Sequence, residues 1–405
     1  MPKPIALIGT LDTKGQEVAY LRDLILAHGR RVVVIDTGIL GEPAISADVS
    51  REVVARAAGA ELARLVAAGD KGRAMQAMID GARAVAARLY AERELGGVLA
   101  VGGGQGTSIG TAAMQVLPIG VPKLMVSTMA SGRSTFEPYV GTADVTLMHS
   151  VADILGINAV TRRVFANAAA AIVAMAEAAE AVPPSTRPVL GATMLGLTTP
   201  CVLGARALLE AWGYELVAFH ANGTGGRCME RLAEEGLIRG VLDLSTQEIT
   251  GTVCRGLFDA GPDRLTAAGR LGLPQVVAPG GTDYIVMGPL SSLPDELKAR
   301  AILIHNPQIT LVRTSAPEMA DIGHLIAARL NAARGPAAVL VPLGGFSYSD
   351  RPGHAFHDPA ADAALVAALE SDLESRVELH KLEAHVNDLT FAHAAAEKMR
   401  DLMSR

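Results

Sequence analysis

The sequence predicts an α/β protein of two doubly wound parallel-sheet subdomains, residues 1–184 and 185–405, with an interdomain cleft. Three observations predict it. Aliphatic runs of four to six residues recur along the chain and alternate with longer amphipathic stretches. Runs that lack polar alternation are what strands buried on both faces look like. Strands spaced by helices imply right-handed crossovers and a parallel sheet covered on each side. The third observation is the Pro-rich stretch at 182–188, VPPSTRP, which reads as a linker midway along a chain of 405 residues.

In the first half, strands are expected at residues 5–8, 31–35, 97–101 and 122–126, and helices at 15–27, 106–116 and 161–179. The second half begins in the same way. Strands are expected at 189–193, 215–219, 240–244, 275–278, 301–305 and 337–341, and helices at 200–211, 229–235, 317–333 and 359–369. An alternating stretch at 377–382 and a last helix at 388–403 complete the chain. In that helix Leu389, Ala392, Ala396 and Met399 share one face, suited either to the core or to a partner surface.

Composition narrows the function. Half the residues are hydrophobic, so disorder is excluded as the main state. One Trp, six Tyr and seven Phe leave few stacking platforms for single-stranded nucleic acid. The net charge of −6, with no basic block, also argues against nucleic acid. Cys201, Cys228 and Cys254 are far apart without metal-ligand spacing, as expected of reduced thiols in a cytoplasmic protein. Met1-Pro2-Lys3-Pro4 leads straight into a strand rather than a signal peptide. The apolar stretch 165–175 is too short for a bilayer, and Glu177 and Glu180 follow it, so no membrane association is expected.

The 42 glycines cluster in short motifs just past strand ends, where ligands of such folds bind. After the first strand comes Gly9-Thr10-Leu11-Asp12-Thr13-Lys14-Gly15. At a strand-to-helix turn this supplies an anion site: Thr10 and Thr13 to bond phosphate oxygens, Lys14 to neutralise one, and Asp12 for a metal or a ribose hydroxyl. It lacks the GxxxxGK[ST] spacing, and the alternative is an ordinary turn capped by Asp12 or Thr13. Asp36, ending the second strand, stands where dinucleotide folds bind a ribose hydroxyl. Gly102-Gly103-Gly104-Gln105-Gly106-Thr107-Ser108 follows the strand at 97–101 and suits a phosphate cradle. Ser127, Thr128, Ser131, Gly132, Ser134 and Thr135 are expected to line the same crevice, with Arg133 joining Lys14 in offsetting phosphate charge.

The second half carries its own cluster. The loop from His220 to Arg227 contains Thr224, Gly225 and Gly226 and reads as a small-ligand loop. Asp243, Ser245, Thr246 and Glu248, then Gly280-Gly281-Thr282-Asp283, then His305-Asn306, follow further strands. Asp350, His354 and His357 sit in a later loop. His220, Asp283 and His305 are the catalytic candidates, as general acids or bases, with Arg313 facing a carboxylate or carbonyl substrate. The ligand spacing of a metal centre is missing, so no metal site is assigned.

The strings GTLDTKG, VIDTG, GGGQGTS, STMASG, HANGTGGRCME, HNPQITLVRTS and VPLGGFSYSDRPG together resemble the ATP-binding domain family of the tomato mosaic virus resistance protein, over nearly the whole chain. The resemblance implies two Rossmann-like subdomains, ATP binding and self-association as a homodimer or higher homo-oligomer. The matching motifs imply nucleotide contacts at Thr10, Asp12, Thr13, Lys14, Gly103, Gly104, Gln105, Gly106 and Thr107, with magnesium accompanying ATP. Pro279-Gly280-Gly281-Thr282-Asp283 stands where many members carry a Cys, so no catalytic thiol is expected there. The expected function is an ATP-binding metabolic enzyme acting on a small acidic or carbonyl metabolite in the cleft. The alternatives are a non-hydrolytic module whose nucleotide stabilises an assembly, and a nucleotide-independent lyase or hydrolase. With so few rings, adenine would need an aliphatic slot.

Overall fold

A computed structural model of the protein describes residues 2–131, 136–183 and 185–405. The expectations for Gly132, Arg133, Ser134 and Thr135 lie outside the described residues. The chain forms two compact units, Met1–Pro184 and Ser185–Arg405.

The first unit runs β1 (Ile5–Gly9), α1 (Leu11–Ala27), β2 (Val32–Asp36), α2 (Arg51–Ala57), α3 (Leu62–Ala68), α4 (Lys71–Ala91), β3 (Gly97–Gly102), α5 (Gly104–Gln115), β4 (Lys123–Ser127), α6 (Glu137–Val140), β5 (Thr146–His149) and α7 (Ala159–Ala181). Its five strands pair parallel in the order β2-β1-β3-β4-β5. Every residue of β1, β3 and β4 is buried. Successive side chains alternate between faces, as the pleat requires. Ala6, Ile8, Val98 and Ala100 meet Met78, Val85 and Ile109, on α4 and α5. Ile5, Leu7, Leu99 and Val101 meet Val18, Leu21, Phe165 and Ile172, on α1 and α7.

At 23 residues, α7 is long and apolar enough to cross a membrane, longer than the stretch expected from sequence. Its Phe165, Ala168, Ala169, Ile172 and Ala176 are enclosed in the core of this unit.

The winding reverses between β1 and β3, since β2 lies on the other side of β1. Ile8 pairs with both Ile35 and Ala100, so the carboxyl ends of β1, β2 and β3 are level. Three loops therefore emerge side by side at the switch point. Residues 51–91, unassigned from sequence, form the three helices α2, α3 and α4 that follow β2.

The second unit runs β6 (Val189–Met194), α8 (Thr199–Ala211), β7 (Glu215–His220), α9 (Gly225–Glu234), β8 (Ile238–Asp243), α10 (Gln247–Cys254), α11 (Ala267–Leu271), β9 (Gln275–Val277), β10 (Tyr284–Met287), α12 (Asp295–Lys298), β11 (Ile302–Asn306), β12 (Ile309–Arg313), α13 (Ala316–Asn331), β13 (Ala337–Pro342), α14 (Pro359–Asp372), β14 (Val377–Leu382) and α15 (Leu389–Met403). Six strands form a parallel sheet in the order β14-β13-β9-β8-β6-β7.

One expectation is corrected. The strand around 301–305 is not part of that sheet: β11 belongs to a separate antiparallel sheet, β10-β12-β11. The physical reason is a tight turn, in which Gln308 donates its backbone N–H to Asn306 Oδ1 and folds β12 back on β11.

The stretch at 377–382 is the parallel edge strand β14, paired with β13. The last helix packs within its own unit. Phe391, Ala392, Ala395, Ala396, Met399 and Leu402 are enclosed with Val202, Ala205 and Leu209 of α8, while Leu389 stays exposed. Next to that seam, the guanidinium of Arg400 lies 3.8 Å from the ring centre of Trp212.

Leu99 is fully enclosed in β3. Leu99→Ala removes most of its side chain and leaves a cavity, and is expected to lower the unfolding free energy by about 3 kcal/mol. Urea denaturation followed by circular dichroism checks it.

Candidate functional site

The level carboxyl ends of β1, β2 and β3 open into a cavity of about 760 Å³. Thr10 lines it from the junction after β1 and Asp12, Thr13 and Lys14 from the first turn of α1, Thr37 and residues 39–41 from the loop after β2, and Gly102 to Gly106 from the end of β3 and the start of α5. Leu65, Val66, Met75 and Ile109 add an aliphatic wall from α3, α4 and α5.

Each polar loop has a definite geometry. The hydroxyls of Thr10 and Thr13 are 2.7 Å apart and hydrogen-bonded. Helix α1 breaks at Lys14, whose φ of −126° and ψ of 19° are not helical, and its ammonium donates to the Ile154 carbonyl. Asp12 Oδ2 accepts the backbone N–H groups of Ile39, Leu40 and Gly41, each at 3.3 Å, which ties the first loop to the second.

At α5 the cap residue is Gly103, which brings no side-chain acceptor to the first turn. The leading N–H groups of a helix lack intrahelical partners and carry its positive end. A Cβ on Gly104 would meet no atom within 4 Å, and Gly104 has no positive φ, so neither packing nor backbone conformation calls for glycine there.

Other expected contacts lie off this wall. A Cβ on Gly9 would come 2.6 Å from a methyl of Val18, so that glycine serves packing. Asp36 is corrected from a ribose contact to a brace: its Oδ1 accepts from Leu11 N at 3.0 Å and Gly38 N at 2.8 Å, and its Oδ2 from Arg51 Nε at 2.7 Å. Thr107 donates its hydroxyl to the Gly103 carbonyl at 2.8 Å and bonds Ser127 Oγ at 2.6 Å, joining α5 to β4. Thr128 N donates to Gly102 O at 3.4 Å, and Ser131 Oγ pairs with His149 Nε2 at 3.1 Å.

In the second unit the comparable glycine loop is closed by its own chain. Glu248 Oε1 accepts from Gly223 N at 2.8 Å and Gly226 N at 3.1 Å, placing a carboxylate at the start of α9. Arg264 holds Glu248 through Nε at 2.6 Å and grips Asp243 with two further nitrogens at 2.6 and 2.7 Å. All three side chains are fully buried. Nearby, burial lifts the Glu230 carboxyl to about 7 despite the Arg264 charge. A Cβ on Gly225 would sit 1.8 Å from the His220 carbonyl, and one on Gly226 2.0 Å from Glu248 Oε2. Gly226 is therefore corrected from a substrate contact to the housing of an internal carboxylate, and Gly225 to close packing on the His220 carbonyl, while Thr224 is half-buried at the cap of α9 with its N–H on Asn222 Oδ1.

The catalytic candidates are not brought together. His220 ends the edge strand β7 of the parallel sheet, while Asp283 lies in the connection from β9 to β10, directly before the antiparallel sheet. His305 is exposed on β11 of the antiparallel sheet. Arg313 is corrected from substrate anchor to internal partner: it donates to the carbonyls of Asp283 at 3.0 Å and Asp358 at 3.1 Å, and to Asp362 Oδ1 at 2.6 Å.

Asp283 is fully buried, with Oδ2 accepting from Ser347 Oγ at 2.6 Å. Burial, then the neighbouring Asp350 charge, lifts Asp283 to about 7 and Asp362 to about 8. Raised folded-state pKa values favour the fold at low pH, and that contribution is lost as pH climbs from the ordinary 3.8 through these values. Asp362→Asn removes one such titration. Its stability relative to the unaltered protein is expected to rise between about pH 5 and about pH 8, as urea midpoints at the two pH values check.

Residues 3–181 match the N-terminal domain, and residues 187–403 the C-terminal domain, of the uncharacterised protein family UPF0261. The chain is 40% identical over 406 residues to a UPF0261 protein of Clostridium tetani, covering all of both. It is 42% identical over 402 residues to one of Rhizobium meliloti, covering 99% of each. It is also 38% identical over 318 residues to the ToMV resistance protein Tm-1 of Solanum lycopersicum, covering 77% of this chain and 42% of that protein. With its two units matched in order along nearly their whole length, the chain belongs to the UPF0261 family.

Proposed function

We propose that the first unit binds ATP in the cavity at the β1/β3 switch point. The observation that carries this is Gly104, a glycine in the first turn of α5 that faces open space in a cavity lined by two lysines and three threonines. The start of α5 offers N–H groups and a positive dipole end to a phosphate chain. Lys14 and Lys71, both on the cavity wall, offset its charge. The aliphatic wall of Ile39, Leu40, Leu65, Val66 and Met75 suits the adenine, in keeping with a composition poor in rings. Magnesium fits this reading as a companion of the triphosphate, since that ion is held largely by phosphate oxygens and water with one or two carboxylates. Asp12 and Asp70 are the carboxylates on the wall.

The proposal is one of nucleotide binding. It is drawn from the first unit alone: His220, Asp283 and His305 lie on separate elements of the second unit, where Arg313 is paired internally.

Gly104→Ala tests the reading. Alanine is favoured over glycine inside a helix by up to about 1 kcal/mol, so the variant is expected to keep or slightly raise its stability. Its methyl group intrudes where the phosphates are placed, and ATP affinity measured by calorimetry is expected to fall about tenfold or more, or about 1.4 kcal/mol. Unchanged affinity overturns the placement.

A further inference from the structure

At and beside the same cavity, three buried polar atoms have no hydrogen-bond partner among the described residues: Asp12 Oδ1 and Thr37 Oγ1 on its lining residues, and Arg51 Nη2 beneath them. Thr37 is 1% exposed, and the Asp12 and Arg51 side chains 8% and 7%. Asp12 and Thr37 both line the cavity. They are not loosely placed. Asp12 is fixed through Oδ2 by three backbone N–H groups. Arg51 is fixed by Asp36 through Nε at 2.7 Å and by the Gly41 carbonyl through Nη1 at 2.5 Å. The Asp12 and Arg51 side chains converge on Gly38, where a Cβ would lie 2.7 Å from Arg51 Nη2 and 2.9 Å from Asp12 Cγ.

Leaving such groups unpaired is costly, and a matching ligand group recovers that cost. The three atoms ask for particular chemistry. Asp12 Oδ1 only accepts, Arg51 Nη2 only donates, and the Thr37 hydroxyl does either. A phosphate would satisfy Arg51 but meet the Asp12 charge, and an ammonium would do the reverse. A hydroxyl both donates and accepts. Two adjacent hydroxyls can serve a carboxylate and a guanidinium together. Asp12 also shares its loop with Thr13 and Lys14, so this subsite adjoins the phosphate end of the cavity, where the sugar of a nucleotide lies.

We propose that Asp12, Thr37 and Arg51 form a subsite for the vicinal hydroxyls of a ribose, so that the cavity selects ribonucleotides over deoxyribonucleotides. This deepens, and rests on, the ATP reading. It replaces the strand-end Asp36, which is fully engaged, by its neighbour Thr37, and keeps the ribose role that the sequence suggested for Asp12, at the start of α1 beside it.

The test compares ATP, 2′-deoxy-ATP, 3′-deoxy-ATP and ITP by calorimetry on the full chain and its Thr37→Val and Thr37→Ser variants, with thermal unfolding as the control for folding. The unaltered protein is expected to bind ATP about tenfold or more tightly than at least one deoxy analogue. Thr37→Val, which keeps shape and loses the hydroxyl, is expected to bring that ratio toward one, and Thr37→Ser to restore it. Equal binding of ATP and both deoxy analogues overturns the subsite while leaving the ATP reading intact. A change in Thr37→Val confined to the ATP/ITP ratio also overturns it, because the trio would then read the base. No binding of ATP at all overturns the cavity reading itself.

Discussion

The carboxylate of Asp36 holds the binding face of the first unit together. It receives the N–H that opens α1, the N–H of Gly38 beyond β2 and the guanidinium at the start of α2. Gly38 is a local contact, but Leu11 is 25 residues from Asp36 and Arg51 is 15, and the parallel register of β1 with β2 sets Leu11 beside the carboxylate. Charge-assisted bonds of this kind are short and directional, and at 2% exposure little water competes with them. The consequence runs outward: Arg51 is oriented, the loop after β2 is turned toward Asp12, and the cavity acquires a fixed floor. A side chain that sequence reading assigns to a ligand is engaged instead with two backbone N–H groups and a guanidinium of its own chain.

The two units show how one sequence texture serves opposite ends. Both carry glycines and hydroxyls after strands, at the starts of α5 and α9. A helix start favours negative charge. At α9 the chain provides it, as Glu248 held by Arg264, and the glycines there make room for that carboxylate. At α5 no carboxylate is supplied and the space over Gly104 stays open. What separates an open glycine loop from a filled one here is an internal anion, which composition does not report.

Much of the fold was legible because parallel strands buried on both faces are written as uninterrupted aliphatic runs, as in β1, β3 and β13. The helices of residues 51–91 went unread although Ala74, Met78, Ala82, Val85 and Leu89 repeat at helical spacing along α4, because much of their apolar face is alanine and glycine set among charged residues. The aliphatic wall of the cavity went unread with them. The antiparallel sheet left a sign in Asn306-Pro307, a turn-forming pair between two aliphatic runs, which the repeated strand–helix rhythm overrode. Within the site, Thr10, Asp12, Lys14 and Gly104 were readable from their place after strands. The engagement of Asp36 and Arg313 was not, since a sequence names a charged residue without naming what it touches.

The single tryptophan of the chain, Trp212, ends α8 beneath Arg400 in the second unit. Indole emission is therefore an observer of that unit alone. Loosening of α15 from α8 would lift the guanidinium from the ring and register in the spectrum, while melting of the first unit has no indole of its own to report it. Far-ultraviolet dichroism counts both units. Two optical signals followed on one sample consequently separate the cooperativity of the halves, with non-coincident transitions marking units that unfold one at a time.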